Sequence, residues 1–277
     1  MIPENILDNA ASLLENGDRA AARDALTEGL LQFPEEPRIL NNLAVLCLEE
    51  DSMDEAASLL SRAHNIAPDD HSIACNYGYA LLSLGDTAEA RNVFESVLKR
   101  KPDSIEALNH LALVDTIEGR YAEAVELFEK SLALAPTDVR LLNNYGATLR
   151  KTGRFAQALK VLEKARRLAP NDVEVLSNLG ATLIRLHRFE DAEEHLNRAR
   201  EIDPEDALLY YHLGCRFREE WVEARAEKPA NRGHLSDLML RAEENFRKYL
   251  EVSRDSLYAD YVNAWLDELE NARKAMV

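Results

Sequence analysis

Small and large apolar positions recur along this chain at a fixed interval of 34 residues. Large apolar side chains stand at Leu26, Leu60, Phe94, Phe128, Leu162 and Leu196, each four residues after an alanine: Ala22, Ala56, Ala90, Ala124, Ala158 and Ala192. A second column of small residues reads Ala10, Ala44, Gly78, Ala112, Gly146 and Gly180. Small residues let two helix backbones approach closely, while the large ones fill the space beside them. Each unit closes on a proline, at Pro34, Pro68, Pro102, Pro136, Pro170 and Pro204, where a helix has to have ended because proline cannot continue the backbone ladder. Between the small columns lie Gly17-Asp18, Gly85-Asp86, Gly119-Arg120 and Gly153-Arg154. Glycine just past a helix end takes the left-handed conformation that closes it. Asp51-Ser52 and His187-Arg188 hold the same place in two units at a higher backbone cost. The pattern predicts helix, short turn, helix and proline turn, copied six times from starts at Pro3, Pro37, His71, Ile105, Val139 and Val173. Such a period means one supersecondary unit repeated along the chain, not a single globular core.

The end of the chain departs from the period. A seventh unit opens at Ala207 with Tyr210, Leu213, Gly214 and Phe217 in register, but its small and large pair, Ala242 and Phe246, comes 16 residues late. The extra piece, placed at residues 225–236, contains Lys228-Pro229-Ala230-Asn231-Arg232-Gly233 and reads as a loop by its breakers. Beyond it, Ser256 to Ala275 predicts an amphipathic helix, with Leu257, Tyr261, Ala264, Trp265 and Leu269 on one face to cover the last exposed apolar surface. The expected organisation is one all-α solenoid domain over residues 1–277. It comprises regular repeats over 3–206, a seventh repeat with an inserted loop over 207–254, and a capping helix over 256–275.

The small residues at repeat positions 8 and 20 and the proline at position 32 resemble the signature of the tetratricopeptide repeat family. The resemblance runs from residue 3 to residue 206 without insertion or deletion. It departs from the family pattern at position 4, where Ile6, Leu40, Ala74, Leu108, Leu142 and Leu176 replace tryptophan, an exchange of apolar for apolar. It implies a right-handed superhelical solenoid whose first helices line a concave groove.

Composition narrows the function. A formal net charge of −17 repels phosphate backbones and anionic lipid surfaces, so a nucleic-acid partner is not expected. No stretch approaches the roughly 20 apolar residues that span a bilayer, and the first residues lack the basic start and apolar run of a secretion signal. Cys47, Cys75 and Cys215 fall in different repeats. Their odd number and scatter favour a reducing compartment, the cytoplasm, and no metal-ligand spacing is read from them. The seven histidines are scattered, and no phosphate loop, nucleophile elbow or zinc motif is present. Neither catalytic residues nor a cofactor nor a metal is expected. Asp115, at a usually apolar position 11, is expected to pair with a groove arginine such as Arg150.

The candidate binding residues lie at repeat position 6, on the groove side of the first helix: Asp8, Asn42, Asn76, His110, Asn144, Asn178 and His212. Asparagine is a mediocre helix former, and a line of amides offers a donor and an acceptor at each step. That equipment suits the backbone of an extended peptide. The arrangement resembles the asparagine ladder in the tetratricopeptide superhelix of O-linked GlcNAc transferase, which implies a backbone-clamping role for Asn42, Asn76, Asn144 and Asn178. The alternative is that these amides bond neighbouring repeats. Position 5 widens the ladder with Asn41, Asn109 and Asn143. The basic clamp that family members use on chaperone tails is absent, since position 5 begins Leu7, Asn41, Cys75 and position 6 holds no lysine or arginine.

Charge along this face is unequal. Glu4, Asp8, Glu15, Glu49 and Glu106 mark its first half, whereas Arg140, Arg150, Lys151, Arg185 and Arg218 mark the second. A basic stretch on an acidic protein suggests a ligand with acidic character, although lysine and arginine in a last helical turn also suit the helix dipole. The expected function is a non-enzymatic adaptor or scaffold that binds an extended peptide or disordered segment of a protein partner. Two alternatives stand beside it. One is homo-oligomeric self-assembly, with the N-terminal repeat (Ile2, Ile6 and Leu7) docked in another copy's groove. The other is a non-catalytic subunit of an enzyme complex.

Overall fold

A computed structural model describes residues 2–227, 231–253 and 258–276. Among these residues there are fifteen α-helices and no strand. The chain divides into two compact units, one ending at Pro136 and one beginning at Thr137.

The first unit holds α1 (Pro3–Glu15), α2 (Arg19–Gln32), α3 (Pro37–Glu49), α4 (Met53–Ile66), α5 (His71–Ser83), α6 (Thr87–Arg100), α7 (Ile105–Ile117) and α8 (Tyr121–Leu134). The second holds α9 (Val139–Lys151), α10 (Phe155–Leu168), α11 (Val173–Arg185), α12 (Phe189–Ile202), α13 (Ala207–Ala224), α14 (Arg232–Val252) and α15 (Ala259–Met276). In all six regular repeats the first helix has 13 residues and the second 14, as the unbroken period predicts.

Local chemistry explains this regularity. Two residues after the proline turn, a side-chain acceptor caps the next first helix: Asp70 takes the Ile73 N–H, Ser104 that of Ala107, Asp138 that of Leu141 and Asp172 that of Val175. Such caps are each worth about 1 kcal/mol. Within each repeat, Gly17, Gly85, Gly119 and Gly153 have φ between 76° and 84°, and Asp51 and His187 hold the same left-handed turn at 60° and 57°. The small columns are close-packed. A Cβ added at Gly146 would lie 2.5 Å from Leu162 Cγ, and one at Gly78 would lie 2.6 Å from the Phe94 ring. Ala22, Ala56, Ala90, Ala124, Ala158 and Ala192 are all fully buried.

The seventh repeat corrects one expectation. Its extra residues are mostly helix: α13 is five residues longer than a regular first helix, and α14 seven longer than a regular second helix. Of the expected 225–236 loop, Arg232 to Ser236 belong to α14, which Asn231 caps by accepting the His234 N–H at 3.2 Å. Lys228, Pro229 and Ala230 lie outside the described residues. The added turns bury Trp221 against Leu235 and Leu238, which is why they fold as helix. At the C-terminal end α15 is present, with Val262 and Leu269 buried and Trp265 half-buried against the core of this repeat, whereas Tyr261 and Ala264 of the expected face are exposed. Leu257 and the expected start at Ser256 lie outside the described residues.

Candidate functional site

The asparagines meet one another. Asn76 on α5 donates its amide to Asn41 Oδ1 on α3 at 2.8 Å, and Asn178 on α11 donates to Asn143 Oδ1 on α9 at 3.0 Å. In both units the position-6 asparagine of one repeat therefore bonds the position-5 asparagine of the repeat before it. Asn143 is buried and also donates to Glu174 Oε2 at 3.2 Å. Asn42 accepts a long contact from Asn41 at 3.4 Å, and Asn144 is half-buried on α9. Asn109 is buried in α7. The two histidines of the column are buried rather than presented to a groove. His110 packs with the rings of Tyr79 and Phe94, at 5.4 and 5.3 Å between centroids. Burial, with Arg150 nearby, pushes His212 down to about 3.

The second unit gathers a cationic cluster. Arg150, in the last turn of α9, is half-buried with its Nε enclosed, and its guanidinium reaches Asn178 Oδ1 only at 3.5 Å. Burial is the main influence lowering its affinity for its proton, and the neighbouring Arg185 charge acts the same way. The hydroxyls of Tyr211 and Tyr258 act in the opposite direction. Arg150 Nε has no hydrogen-bond partner, and among the described residues no carboxylate pairs with this guanidinium. Arg185 lies over the Phe155 ring, 5.3 Å from its centroid. Tyr258, just before α15, stacks on Tyr211 of α13 at 4.2 Å, so the start of the terminal helix walls this cluster. Arg218 is committed elsewhere: it pairs with Glu268 at 2.7 Å and covers Trp265. Arg140 stands at the other end of α9, about 15 Å from Arg150 at 1.5 Å per residue. It is exposed in a cleft with Asn143, Asp172 and Glu174. Of the three arginines expected to act together, the structure joins Arg150 and Arg185 and leaves Arg140 apart.

Asp115 pairs within its own unit, not with Arg150. Arg91 on α6 reaches it at 2.6 Å and Arg120 at 2.8 Å. Burial nevertheless raises its carboxyl to about 6, against the pull of Arg91. Sequence reasoning also passed over His71, Cys75 and Glu106, whose donor atoms lie within 4.8 Å of one another. The signal was present, since His71 and Cys75 stand four apart on one helix, but cysteines and histidines were each read only among themselves.

Sequence models described as tetratricopeptide repeat match residues 7–71, 76–114, 103–171 and 137–205, well over half of the chain. The chain belongs to the tetratricopeptide repeat family. No curated protein matches it. Among solved structures, a tetratricopeptide repeat protein from Parabacteroides merdae superposes with a TM-score of 0.69 at 17% identity, over 97% of this chain and 98% of that one. The type IV pilus biogenesis factor PilW does so with a TM-score of 0.66 at 19% identity, over 75% of this chain and 96% of its own. Cut9, in the APC/C hetero-tetramer with Hcn1, reaches 0.72 at 16% identity, over 91% of this chain and 47% of its own. At these identities the likeness is one of fold. Tetratricopeptide repeats typically form non-catalytic interaction modules, and among the described residues no helix is long and apolar enough to cross a membrane.

Proposed function

We propose that this tetratricopeptide protein is an interaction scaffold that holds an extended, acidic segment of a protein partner against α9, α11 and α13 of its second unit. The observation that supports this reading is Arg150, a half-buried guanidinium whose enclosed Nε has no partner, with no carboxylate paired to it among the described residues and a second cation, Arg185, beside it. A buried cation without a counter-charge is costly, and a carboxylate from a bound segment would remove that cost. The Tyr211 and Tyr258 rings offer flat apolar surface next to the charge, and Asn178 Oδ1 is an acceptor for a peptide N–H. PilW and Cut9 supply a parallel: one is a pilus biogenesis factor and the other assembles with Hcn1.

The test is a selection of random peptides displayed against the intact chain, repeated with Arg150→Gln. Enriched sequences should be rich in Asp and Glu. The variant should bind them on the order of tenfold to hundredfold more weakly, since a hydrogen bond to a charged group is worth roughly 1.5–3 kcal/mol. Arg185→Gln should slow association and flatten its salt dependence. Enrichment without acidic bias, or equal binding by Arg150→Gln, would reject the proposal.

A further inference from the structure

We propose that His71, Cys75 and Glu106 form a binding site for a zinc-class transition-metal ion that staples the third repeat to the fourth. His71 opens α5, and Cys75 stands one turn later on the same face; Glu106 is the second residue of α7, the equivalent helix of the next repeat. The imidazole, thiol and carboxylate donor atoms lie within 4.8 Å of one another, and His71 Nε2 is 3.9 Å from Cys75 Sγ.

The repeat itself supplies a control. At the junction of the fifth and sixth repeats, the same two positions are Asn143 and Glu174, and they are joined by a hydrogen bond of 3.2 Å. The solenoid thus brings a position-5 side chain onto a position-2 carboxylate. At the junction of the third and fourth repeats the amide is replaced by a thiol, and a histidine stands one turn before it. A bond between two ordinary polar groups has become a mixed nitrogen, sulfur and oxygen donor set.

That donor set discriminates among ions. Calcium and magnesium take oxygen ligands, whereas thiolate with imidazole suits zinc and its neighbours in the transition series. Bonds of about 2.0–2.3 Å around a tetrahedral ion put the donors about 3.3–3.7 Å apart. Closing from 4.8 Å is a movement of about 1 Å, within reach of the half-exposed Glu106 side chain. Three protein ligands leave a fourth position for water or a partner's side chain.

The histidine is already oriented. Ser104, the buried N-cap of α7, accepts the Ala107 N–H at 3.2 Å, and its hydroxyl lies 3.1 Å from His71 Nε2. A bound ion would take the Nε2 lone pair that this hydroxyl now faces, and the Ser104 proton would turn to the neighbouring Cys75 sulfur, an acceptor once it is a thiolate. Cys47 and Cys215 belong to no such group among the described residues.

The experiment uses the full chain, stripped of metal and titrated with Co²⁺ alone, then with Zn²⁺ in competition. One equivalent of Co²⁺ should give a thiolate-to-cobalt charge-transfer band and tetrahedral visible bands, both displaced by Zn²⁺. Cys75→Ser should abolish the charge-transfer band, Glu106→Gln should weaken binding at least tenfold, and Cys47→Ala and Cys215→Ser should leave both unchanged. Zn²⁺ should also raise the melting temperature of the wild type and of Cys215→Ser, but not of Cys75→Ser. Absence of the band in the wild type, or its persistence in Cys75→Ser, would overturn the proposal. Glu106→Gln retains the packing of α7, so a result with that variant stands even if Cys75→Ser folds poorly.

Discussion

The amide pairs between repeats can be weighed by a double-mutant cycle on Asn143 and Asn178. Asn178→Ala removes the donor 3.0 Å from Asn143 Oδ1 and leaves that oxygen inside the stack, because Asn143 is 5% exposed. An orphaned buried acceptor costs about 1–3 kcal/mol. Asn143→Ala removes the same bond together with the one to Glu174, but it leaves the orphaned donor on the half-buried Asn178, where water can reach it. The double variant has no orphan at this bond, so it should cost less than the two singles summed. The difference, a coupling of about 0.5–1.5 kcal/mol, is the net worth of the bond. Asn41 and Asn76, paired at 2.8 Å in the first unit, should give the same result independently. Asn42→Ala, whose contact with Asn41 is 3.4 Å long, should cost only a few tenths of a kcal/mol. Because repeats couple chiefly to their neighbours, global unfolding need not be two-state. Native-state hydrogen exchange of the amides in α9 and α11 is therefore the suitable readout. Strict additivity of the two singles would refute the bond as a repeat-to-repeat tie and would return these side chains to the ligand.

Gly146→Ala should lower the melting temperature despite alanine's advantage of about 1 kcal/mol in a helix. Its Cβ would meet the fully buried Leu162 at 2.5 Å, and overpacking costs about 1–3 kcal/mol. Gly119→Ala has no atom within 4 Å of the new Cβ, so thermal melts should show the left-handed backbone cost alone, about 1–2 kcal/mol. His212 is held at about 3 in the folded chain, below its unfolded value, so the stability it contributes is present above about pH 6.5 and is lost as pH falls towards 3. His212→Asn should flatten the fall of melting temperature between pH 7 and 5, and an unchanged slope would count against this assignment. Arg150→Met should raise thermal stability, by on the order of 1 kcal/mol, while abolishing binding of acidic peptides measured by fluorescence anisotropy.

The repeat boundaries were legible because they rest on local chemistry: a proline just past the end of each second helix and, in four repeats, a glycine in the turn. The seventh repeat was misread for the same reason. Pro229 and Gly233 are strong local breakers, yet Asn231 is a helix cap and Gly233 sits in the first turn of α14. What favours helix there is tertiary, the burial of Trp221 against Leu235 and Leu238. The candidate site was legible only by column. Position 6 stands out as polar, but spacing along one helix does not say that Asn76 and Asn178 meet position 5 of the preceding repeat. Nor does it say that His110 and His212 sink into that junction. Asp115 was paired with the wrong arginine because Arg91 comes from α6, the second helix of the preceding repeat, a neighbour that counting along the first helices never visits.

The described residues treat their enclosed arginines in two ways. Arg216 is 4% exposed, and it is met by Glu193 at 3.0 Å, by Glu220 and by the Phe189 carbonyl at 3.2 Å. Arg91 is met by Asp115 at 2.6 Å and by Glu118 at 3.1 Å. Where the fold buries a guanidinium for its own packing, it supplies the carboxylates, as the cost of an unpaired charge requires. A chain with 50 acidic residues against 33 basic ones has no shortage of them. Among the described residues Arg150 is nevertheless offered only an amide oxygen at 3.5 Å, beyond good hydrogen-bond length, and two tyrosines. Its neighbour is a second arginine, which a structural pairing would avoid. On the proposed function this cost is offset when a partner's carboxylate arrives, so an acidic peptide should raise the melting temperature of the wild type and not that of Arg150→Gln.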